Sequence, residues 1–530
     1  MKKFIPFLIV VFLLFNYSFN LKAQTVYLQD TLVQNQIISA DTLKITGDLY
    51  ISNGVTLSLS AGLIVEFQGY YKIDVQGCLK AEGAMGANIF FTIADTSNFS
   101  DTSTLNGGWA GIFFIQTPVS NDSSIFSYCK FAYGKKIGNS NEENSGGAVY
   151  IDNFSKIRFS NSSFFKNFAL MKGGAIYCGN HSSPIIEHCK IFDNRTYSEG
   201  GGIYIGPNSN VKIYNNIIFQ NAAVDYYFKK SNPKLSGAGG GIYSSSPSLN
   251  NYNPKIYGNK IFNNESFNGG GIYESNYQIT IINNLVCNNE GGGIMNGHSL
   301  GQGKYFNNTL CNNSIGGGVQ TCSSHLSITD CILWGNTTFW TLDSNPQVYV
   351  IYGNPPKLTY CNVQNGYPGI GNMDTLPQFI SPTAGDGLSF SALNADWALN
   401  NISPCVNSGV LDTSYMSLPS FDVLGYPRIV GNRIDMGAIE NQIMNGYGPK
   451  PAPSTLRVFP NPTDDYIFVE LSQNKPFNYE LFDAQGKLVL SGNSSGNSLQ
   501  INLHKFKSGI YFYRVFDAQN QIYQGKITKR

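Results

Sequence analysis

The sequence is poor in charged residues and has no strong excess of either sign. Charged residues make up 13% of the 530 positions, and 35 basic against 34 acidic residues leave a formal net charge of +1. A broad electrostatic surface for nucleic acid or an anionic membrane is therefore not expected, and any polyanion site needs a local patch. The sequence also lacks a CxxC pair and a metal-spaced set of cysteine and histidine. We expect no metal site, no cofactor and no nucleic-acid partner.

Long apolar runs are absent beyond the N-terminus. Lys2 and Lys3 precede an apolar run over residues 4–15, and a polar stretch then ends at Ala23. This layout is typical of a secretory signal peptide over residues 1–23, with cleavage after Ala23. A membrane anchor is the alternative, but the run is too short to span a bilayer, and no later stretch approaches about 20 apolar residues. We expect an exported mature chain with no transmembrane segment after signal removal.

A five-residue block of glycines, a small residue, an aliphatic residue and tyrosine recurs along the middle of the chain. Degenerate copies follow over residues 291–295 and 316–320, and the blocks begin 22 to 39 residues apart. A constant block with variable spacing predicts a repeat protein whose loops differ in length. The full copies are residues 146–150, 173–177, 200–204, 239–243 and 269–273.

A second repeated pattern lies between the glycine blocks. A small or amide residue is followed five positions later by asparagine, with short aliphatic and aromatic runs between them. Each copy predicts short strands joined by turns. Stacked parallel coils place equivalent residues about 4.8 Å apart, so that asparagine amides can hydrogen-bond along the stack and glycines can form sharp corners. The pairs are Ser162 with Asn167, Cys189 with Asn194, Asn216 with Asn221, Asn259 with Asn264, Asn284 with Asn289, Asn308 with Asn313 and Cys331 with Asn336, extended by Cys129 with Gly134 and Cys361 with Gly366.

Two other interpretations of the glycine block fit less well. A phosphate-binding loop needs a helix after the glycines, whereas these glycines precede an Ile-Tyr strand. A calcium-binding nonapeptide repeat needs a regular aspartate between the glycines, and none is present. We therefore predict no calcium ladder.

With these repeats, the chain resembles right-handed parallel β-helix proteins of the pectate-lyase-like superfamily. Residues 47–83 and 107–114 resemble the opening coils and cap of such proteins. Residues 403–410, SPCVNSGV, and 425–440, GYPRIVGNRIDMGAIE, resemble the closing segment called choice-of-anchor Q. The resemblance implies an N-terminal cap and first coils over residues 24–130, β-helix repeats over 131–380 and a closing segment over 381–442. It implies a fold and a secreted lifestyle but no single chemistry, since this superfamily hosts lyases, hydrolases and adhesins.

The C-terminal part has a different composition. Glycine and proline over residues 443–454 predict a linker, and alternating strands with a turn at Gln485-Gly486 predict a small immunoglobulin-like antiparallel β-sandwich over 455–530. These residues resemble the type A sorting domain of the type IX, or Por, secretion system, through the Pro460-Asn461-Pro462 turn, the strand that begins at Ser508 and the basic C-terminus. The resemblance implies recognition by the translocon, removal of the domain, and attachment to surface lipopolysaccharide or release.

The best binding candidate is a column of tyrosines. If Val149 and its equivalents point inward, alternation turns the next residue outward, which would form a row of rings suited to sugar faces. The alternative is that the tyrosines pack against one another or under loops. A long coil adds an insertion that can carry function or be tolerated decoration. The predicted ligand-binding residues are Tyr150, Tyr177, Tyr204, Tyr243 and Tyr273, with Tyr226, Tyr227, Lys229 and Lys230 from the insertion.

Catalytic residues cannot be assigned from the sequence, because no motif carries over the basic residue that lyases of the superfamily use. A charged group on one coil, Glu187, Lys190, Asp193, Arg195 and Glu199, fits a solvated face better than an active site. The five histidines fit turn or surface positions. Cys287 and Cys311 occupy equivalent positions on neighbouring coils, which allows a disulfide or a stack of unpaired thiols.

Three functions remain open. The first is a secreted cell-surface protein that binds glycan or mediates adhesion, which the neutral charge, the tyrosine column and the missing catalytic cluster favour. The second is a polysaccharide lyase or glycoside hydrolase, which would need a basic residue and carboxylates converging on one coil face. The third is a structural spacer, which predicts no glycan retention.

Overall fold

The computed structural model describes two compact units. The first covers residues 24–441 except 225–236, 247–251, 324 and 340–344, and the second covers residue 442 and residues 456–530 except 460–462, 464, 472–475, 497 and 517–521. These residues form strands and turns, and no helix among them is long and apolar enough to cross a membrane. The predicted signal peptide, the linker, the proline turn and the four insertion residues Tyr226, Tyr227, Lys229 and Lys230 lie outside the described residues.

The first unit is a parallel solenoid made of three sheets, which we call sheets 1, 2 and 3. Sheet 1 consists of two ladders of strands, which are joined at Thr25–Leu32 and Thr42–Ile51 and otherwise, among the described residues, do not pair with each other. In the described part of the chain, sheet 1 has the 23 strands Thr25–Leu32, Thr42–Ile51, Ile64–Phe67, Lys72–Val75, Ile89–Ile93, Gly111–Ile115, Cys129–Ala132, Val149–Asp152, Ser163–Phe165, Ile176–Cys178, Lys190–Phe192, Ile203–Ile205, Ile217–Phe219, Ile242–Ser246, Lys260–Phe262, Ile272–Asn276, Leu285–Cys287, Ile294–Asn296, Thr309–Cys311, Val319–Thr321, Ile332–Trp334, Val348–Val350 and Asn362–Val363. Sheet 2 has the 12 strands Gln36–Ile38, Thr56–Leu59, Cys78–Glu82, Ser124–Ser127, Ile157–Ser160, Ile185–Glu187, Lys212–Tyr214, Lys255–Tyr257, Thr280–Ile282, Lys304–Phe306, Ser327–Thr329 and Lys357–Thr359. Sheet 3 has the four strands Lys135–Lys136, Phe168–Ala169, Arg195–Thr196 and Ala222–Ala223.

The interior of the solenoid is a continuous stack of aliphatic side chains. Val149 is the register partner of Ile176, and the same column continues through Ile203, Ile242 and Ile272. All five side chains are fully buried in one core. A single coil of three short strands cannot bury this face alone, so the stack is stabilised by its continuity. The predicted inward orientation of these residues is confirmed.

Asparagine ladders form two corners of each coil, as the second repeated pattern predicts. The Asn264 amide donates to Asn289 Oδ1 at 3.0 Å and to the Ile218 carbonyl at 3.0 Å, while its own Oδ1 accepts from Asn221. The same ladder runs from Asn167 to Asn336, and a second runs from Asn216 to Asn308. The ladders supply hydrogen-bond partners to polar groups that no water reaches.

Glycine is required in the blocks for two separate reasons. The first glycine of each block, such as Gly173 with φ of 63°, has the left-handed backbone predicted for a corner. The second glycine lies against the next coil, and a Cβ at Gly174 would collide with the carbonyl oxygen of Gly201. A side chain at either position would therefore disturb the stacking.

The closing segment, residues 381–442, packs on the outside of sheet 1. Trp397, Met436 and Ile439 share a core with Phe262 and Cys311 of the solenoid. Within the segment, Arg428 is 2% exposed and donates to Glu440 at 2.7 Å and to the carbonyls of Asp435 and Gly437. This buried charged group fixes the fold of a segment that has few strands.

The second unit is a small antiparallel β-sandwich, as predicted. One sheet holds three strands and the other four, and they share a core that includes Ile467, Leu481 and Val515. The predicted turn has Gly486 at φ of 80°. The strands are Leu456–Phe459, Tyr466–Leu471 and Ser498–Asn502 in one sheet, and Leu488–Asn493, Asn478–Phe482, Gly509–Phe516 and Ile522–Lys529 in the other; a further pair, Phe379–Ser381 and Asp396–Leu399, belongs to the first unit.

Replacing one ladder asparagine by a residue of similar volume should destabilise the solenoid, because the hydrogen bonds between coils are lost. We expect Asn264→Leu to lower the free energy of unfolding by about 2–4 kcal/mol, because it removes the acceptor of the buried Asn221 backbone N–H and the side-chain amide that donates to Asn289 Oδ1 and to the Ile218 carbonyl. The denaturation midpoint of the mature chain measures the loss. Asn400→Ala at an exposed position is the control, and equal midpoints for the two variants would contradict the structural role of the ladder.

The contact between the solenoid and the closing segment should be more stable at acid pH, because Asp330 of the solenoid binds the segment at Val410. Its Oδ1 accepts the Val410 N–H at 2.8 Å, and burial raises its pKa to about 7, despite the lowering influence of Arg428 and Arg433. The folded chain holds this proton more tightly than the unfolded chain, so the stabilisation is full below about pH 4 and is lost as the pH rises to about 7.

Asp330→Asn tests this dependence, because it keeps the acceptor and removes the charge. We expect a gain of about 1–3 kcal/mol in unfolding free energy at pH 8 and little change at pH 4. Urea denaturation of both proteins at the two pH values measures the difference. Asp412→Asn on the exposed surface of the same segment is the control, and a gain for D330N that is independent of pH would refute the explanation.

Candidate functional site

The five predicted tyrosines form a continuous stack on the outer face of sheet 1. Ring centroids are 4.6 Å apart from Tyr150 to Tyr177, 5.0 Å to Tyr204, 5.2 Å to Tyr243 and 4.9 Å to Tyr273, with nearly parallel planes. Each interior ring is covered on both faces by its neighbours. A sugar therefore cannot stack on these faces, although edges and hydroxyls stay at the surface of the stack.

Three of the five tyrosines are also buried from solvent, and a loop residue contacts one of their hydroxyls. Tyr150, Tyr177 and Tyr204 are 5% to 7% exposed, whereas Tyr243 and Tyr273 are half-buried. The Asn141 amide donates to the Tyr177 hydroxyl at 3.1 Å, and burial raises the pKa of all five phenols. The role of these tyrosines in ligand binding stays a prediction.

The outer face of sheet 2 has a column of cations that the sequence analysis missed. The register pairs Lys212 with Lys255, Lys255 with Thr280, Thr280 with Lys304, Lys304 with Ser327 and Ser327 with Lys357. All four lysines are exposed. We call Lys212, Lys255, Lys304 and Lys357 the lysine column.

A row of rings and aliphatic side chains runs beside the lysine column. Tyr214 stacks on Tyr257 with ring centroids 4.7 Å apart, and the register continues through Ile282 and Phe306. The closing segment adds one wall. There Tyr415 meets Phe306 edge-to-face at 5.9 Å, and Met416 packs on Ile282 and Phe306.

Together these residues enclose an open groove of about 440 Å³. Its floor holds Tyr257 and Phe306, its edge holds Lys212, Lys255 and Lys304, and Tyr415 on the wall is 55% exposed. We call this space the groove. It combines cations with partly exposed rings, and concave sites of this composition bind ligands by a few polar contacts and much apolar contact.

One member of the charged coil group lies near the groove. The Glu187 carboxylate is 5% exposed, forms an ion pair with Arg158 and accepts a hydrogen bond from the Tyr214 hydroxyl. Burial and this carboxylate raise the pKa of Tyr214. A phenol in this state holds its proton, so it is poorly suited to act as a general base.

The other charged candidates do not converge with Glu187. Lys190, Asp193 and Arg195 are exposed, with Asp193 and Arg195 on the rim of a separate shallow depression. Glu199 instead pairs with Lys172 at 3.4 Å beside the tyrosine stack. The structure therefore divides the predicted group among three places.

Among the described residues, the cysteines form no disulfide and the possible metal ligands form no metal site. All ten cysteines are free, including Cys287 and Cys311, which are register partners. No group of three or more histidine, cysteine or acidic side chains in the described ranges could hold a metal ion.

Two family models match the chain. Residues 119–315 match a right-handed beta helix region, and residues 457–530 match a secretion system C-terminal sorting domain. This protein is a right-handed β-helix protein with a type IX secretion sorting domain. The sorting domain indicates that the β-helix protein is secreted through the type IX system and ends outside the cell or on its outer surface.

One curated relative has a short similarity to the β-helix protein. The endo-acting ulvan lyase of Formosa agariphila is 31% identical over 75 residues, which are 14% of this chain and 14% of the lyase. The chain thus spans about a seventh of the length of the curated relative it matches. A stretch of this length is shorter than the matched β-helix region, so the similarity is local.

The tyrosine stack should contribute to stability through ring packing. We expect Tyr204→Ala to lower the unfolding free energy by about 3–5 kcal/mol, because it removes a buried ring from between two others. Tyr204→Phe keeps the ring and loses the hydroxyl contact with Lys172 at 3.3 Å, so it should cost less. Thermal denaturation compares the two variants, and a Y204A protein as stable as wild type would show that the rings are not packed in this way.

Proposed function

We propose that this secreted β-helix protein binds polysaccharide outside the cell, and that the groove on sheet 2 is the binding site. The single observation that supports this most is the meeting of partly exposed rings, Tyr257 and Tyr415, with unburied lysines in one concave space. Ring faces pack against the apolar faces of sugars, and lysines bind their hydroxyls or acidic groups. The tyrosine stack would then stabilise the solenoid that holds the groove.

The two units would act in sequence. We propose that the translocon recognises residues 455–530 during export, after which the sorting domain is removed and the β-helix stays at the surface or is released. The resemblance of the closing segment to choice-of-anchor Q would fit a surface role, and Tyr415 shows how this segment can also shape a ligand site.

A binding assay with groove variants tests the proposal. The mature protein is titrated with a panel of neutral and acidic polysaccharides by calorimetry. We expect Tyr415→Ala to weaken binding about ten-fold, because truncation of an aromatic anchor commonly costs more than 1 kcal/mol. Tyr415 is exposed, so the fold should be retained.

Tyr352→Ala is the matched control, since Tyr352 is 72% exposed and is not part of the groove. It should bind as wild type does. Absence of binding to every polysaccharide would reject the proposal and favour the structural spacer. Equal affinities for Y415A and wild type would place binding elsewhere, with the tyrosine stack as the next site to test.

Polysaccharide lyase activity is the second candidate, because Arg158, Glu187 and Tyr214 meet on sheet 2 beside the groove, on three successive coils. The raised pKa of Tyr214 argues against its use as a base. We expect no rise in ultraviolet absorbance when the protein is incubated with acidic polysaccharides. A rise that Glu187→Gln abolishes would show β-elimination and replace binding as the function.

A further inference from the structure

The lysine column extends past the groove, and its length indicates what kind of polysaccharide the protein would bind. Lys212, Lys255 and Lys304 line the groove, whereas Lys357 lies two coils beyond Lys304 and outside it. Since strands of a sheet are about 4.8 Å apart, the column is about 24 Å long. A ligand that contacts all four lysines is therefore a polymer rather than a single sugar.

We propose that the ligand is a linear anionic polysaccharide that lies along sheet 2, parallel to the solenoid axis, with its carboxylates or sulfates on the lysine column. This inference rests on the proposed function and deepens it. It assigns a binding role to Lys357, which the groove alone does not.

The lysine charges are available for such a ligand. Within the described residues, no carboxylate forms an ion pair with Lys212, Lys255, Lys304 or Lys357, whereas Lys80 and Arg158, further up the same column, pair with Asp122 and Glu187. The six strands from Lys212–Tyr214 to Lys357–Thr359 contain no aspartate or glutamate. Unpaired cations in a strip without acids attract a polyanion.

The spacing of the lysines fits a polysaccharide better than a nucleic acid. Lys255, Lys304 and Lys357 are separated by two coils each, or roughly 10 Å. Two linked pyranose rings in an extended chain have about this length, so acidic groups on alternate sugars would meet successive lysines. Duplex DNA carries a charge about every 1.7 Å, which a single sparse column cannot match.

The rings beside the column supply the second half of the recognition. Tyr214, Tyr257 and Phe306 lie two positions after the lysines on the same strands, separated from them by one buried residue. A chain whose acidic groups face the lysines would lie over the edges of Tyr214 and Tyr257, which stack face to face, and would reach the exposed ring of Tyr415. Charge and stacking would then act on the same polymer.

The experiment compares binding of the mature protein to five probes: hyaluronan, polygalacturonate, the same two polymers after reduction of their carboxylates to alcohols, and duplex DNA. We expect at least one acidic polymer to bind at least ten-fold more tightly than its reduced form and than DNA. We also expect its affinity to fall with added salt, as ion pairs with a polyanion require.

Lys357→Gln tests the part of the column outside the groove. It should weaken binding of the long acidic polymer about two- to five-fold, reduce the slope of log Kd against log salt by about one, and leave the affinity for a disaccharide unchanged. Lys190→Gln, at an exposed lysine on sheet 1, is the matched control and should change none of these quantities.

The outcomes separate the two proposals. Equal binding of acidic and reduced polymers would keep polysaccharide binding and overturn this inference. Failure of all the polymers would overturn both. DNA binding as tight as that of the acidic polymers, or a K357Q protein with wild-type affinity and salt slope, would overturn the assignment of the lysine column to a linear polysaccharide.

Discussion

The hydrogen bond from one coil to the next is the constraint on which the rest of the structure depends. Within each ladder, an asparagine donates its amide to the equivalent asparagine of the next coil and to a carbonyl of the coil before it, as Asn264 does with Asn289 and Ile218; the ladders end on Cys331 and Gln347. A coil that breaks this pattern leaves buried groups unpaired on both sides. The corners are thus fixed, and variation is confined to the loops and to the outward side chains.

The same constraint explains why outward residues form columns. Register between coils is fixed at the corners, so a residue type that recurs at one strand position becomes a row along the axis. On sheet 1 this arrangement brings five tyrosines into face-to-face contact, and on sheet 2 it aligns four lysines. The lysines stay exposed to solvent, because ammonium groups repel one another and cannot stack as rings do.

Much of the fold could be predicted from the sequence, whereas most of the site could not. The glycine blocks and the asparagine pairs are local patterns, and they correctly indicated a stacked solenoid with inward aliphatic residues. The lysine column escaped notice because its members are 43, 49 and 53 residues apart, and only the register shows that they align. Tyr415 was missed for a related reason, since no local pattern shows where a segment without regular strands will dock. The positive φ of Asp193, Gln220 and Asn263 was also unforeseen, because corners were expected at glycine.

The unbonded state of the ten cysteines matters for a protein that is made inside the cell and then secreted. None is bonded to another, nine of them are buried, and burial raises the pKa of Cys129, Cys178 and Cys311. The thiolate is the form that reacts in disulfide exchange, so these cysteines are kept in their inert form. The solenoid needs no oxidative maturation before export, and its stability should be the same in a reducing and an oxidising medium.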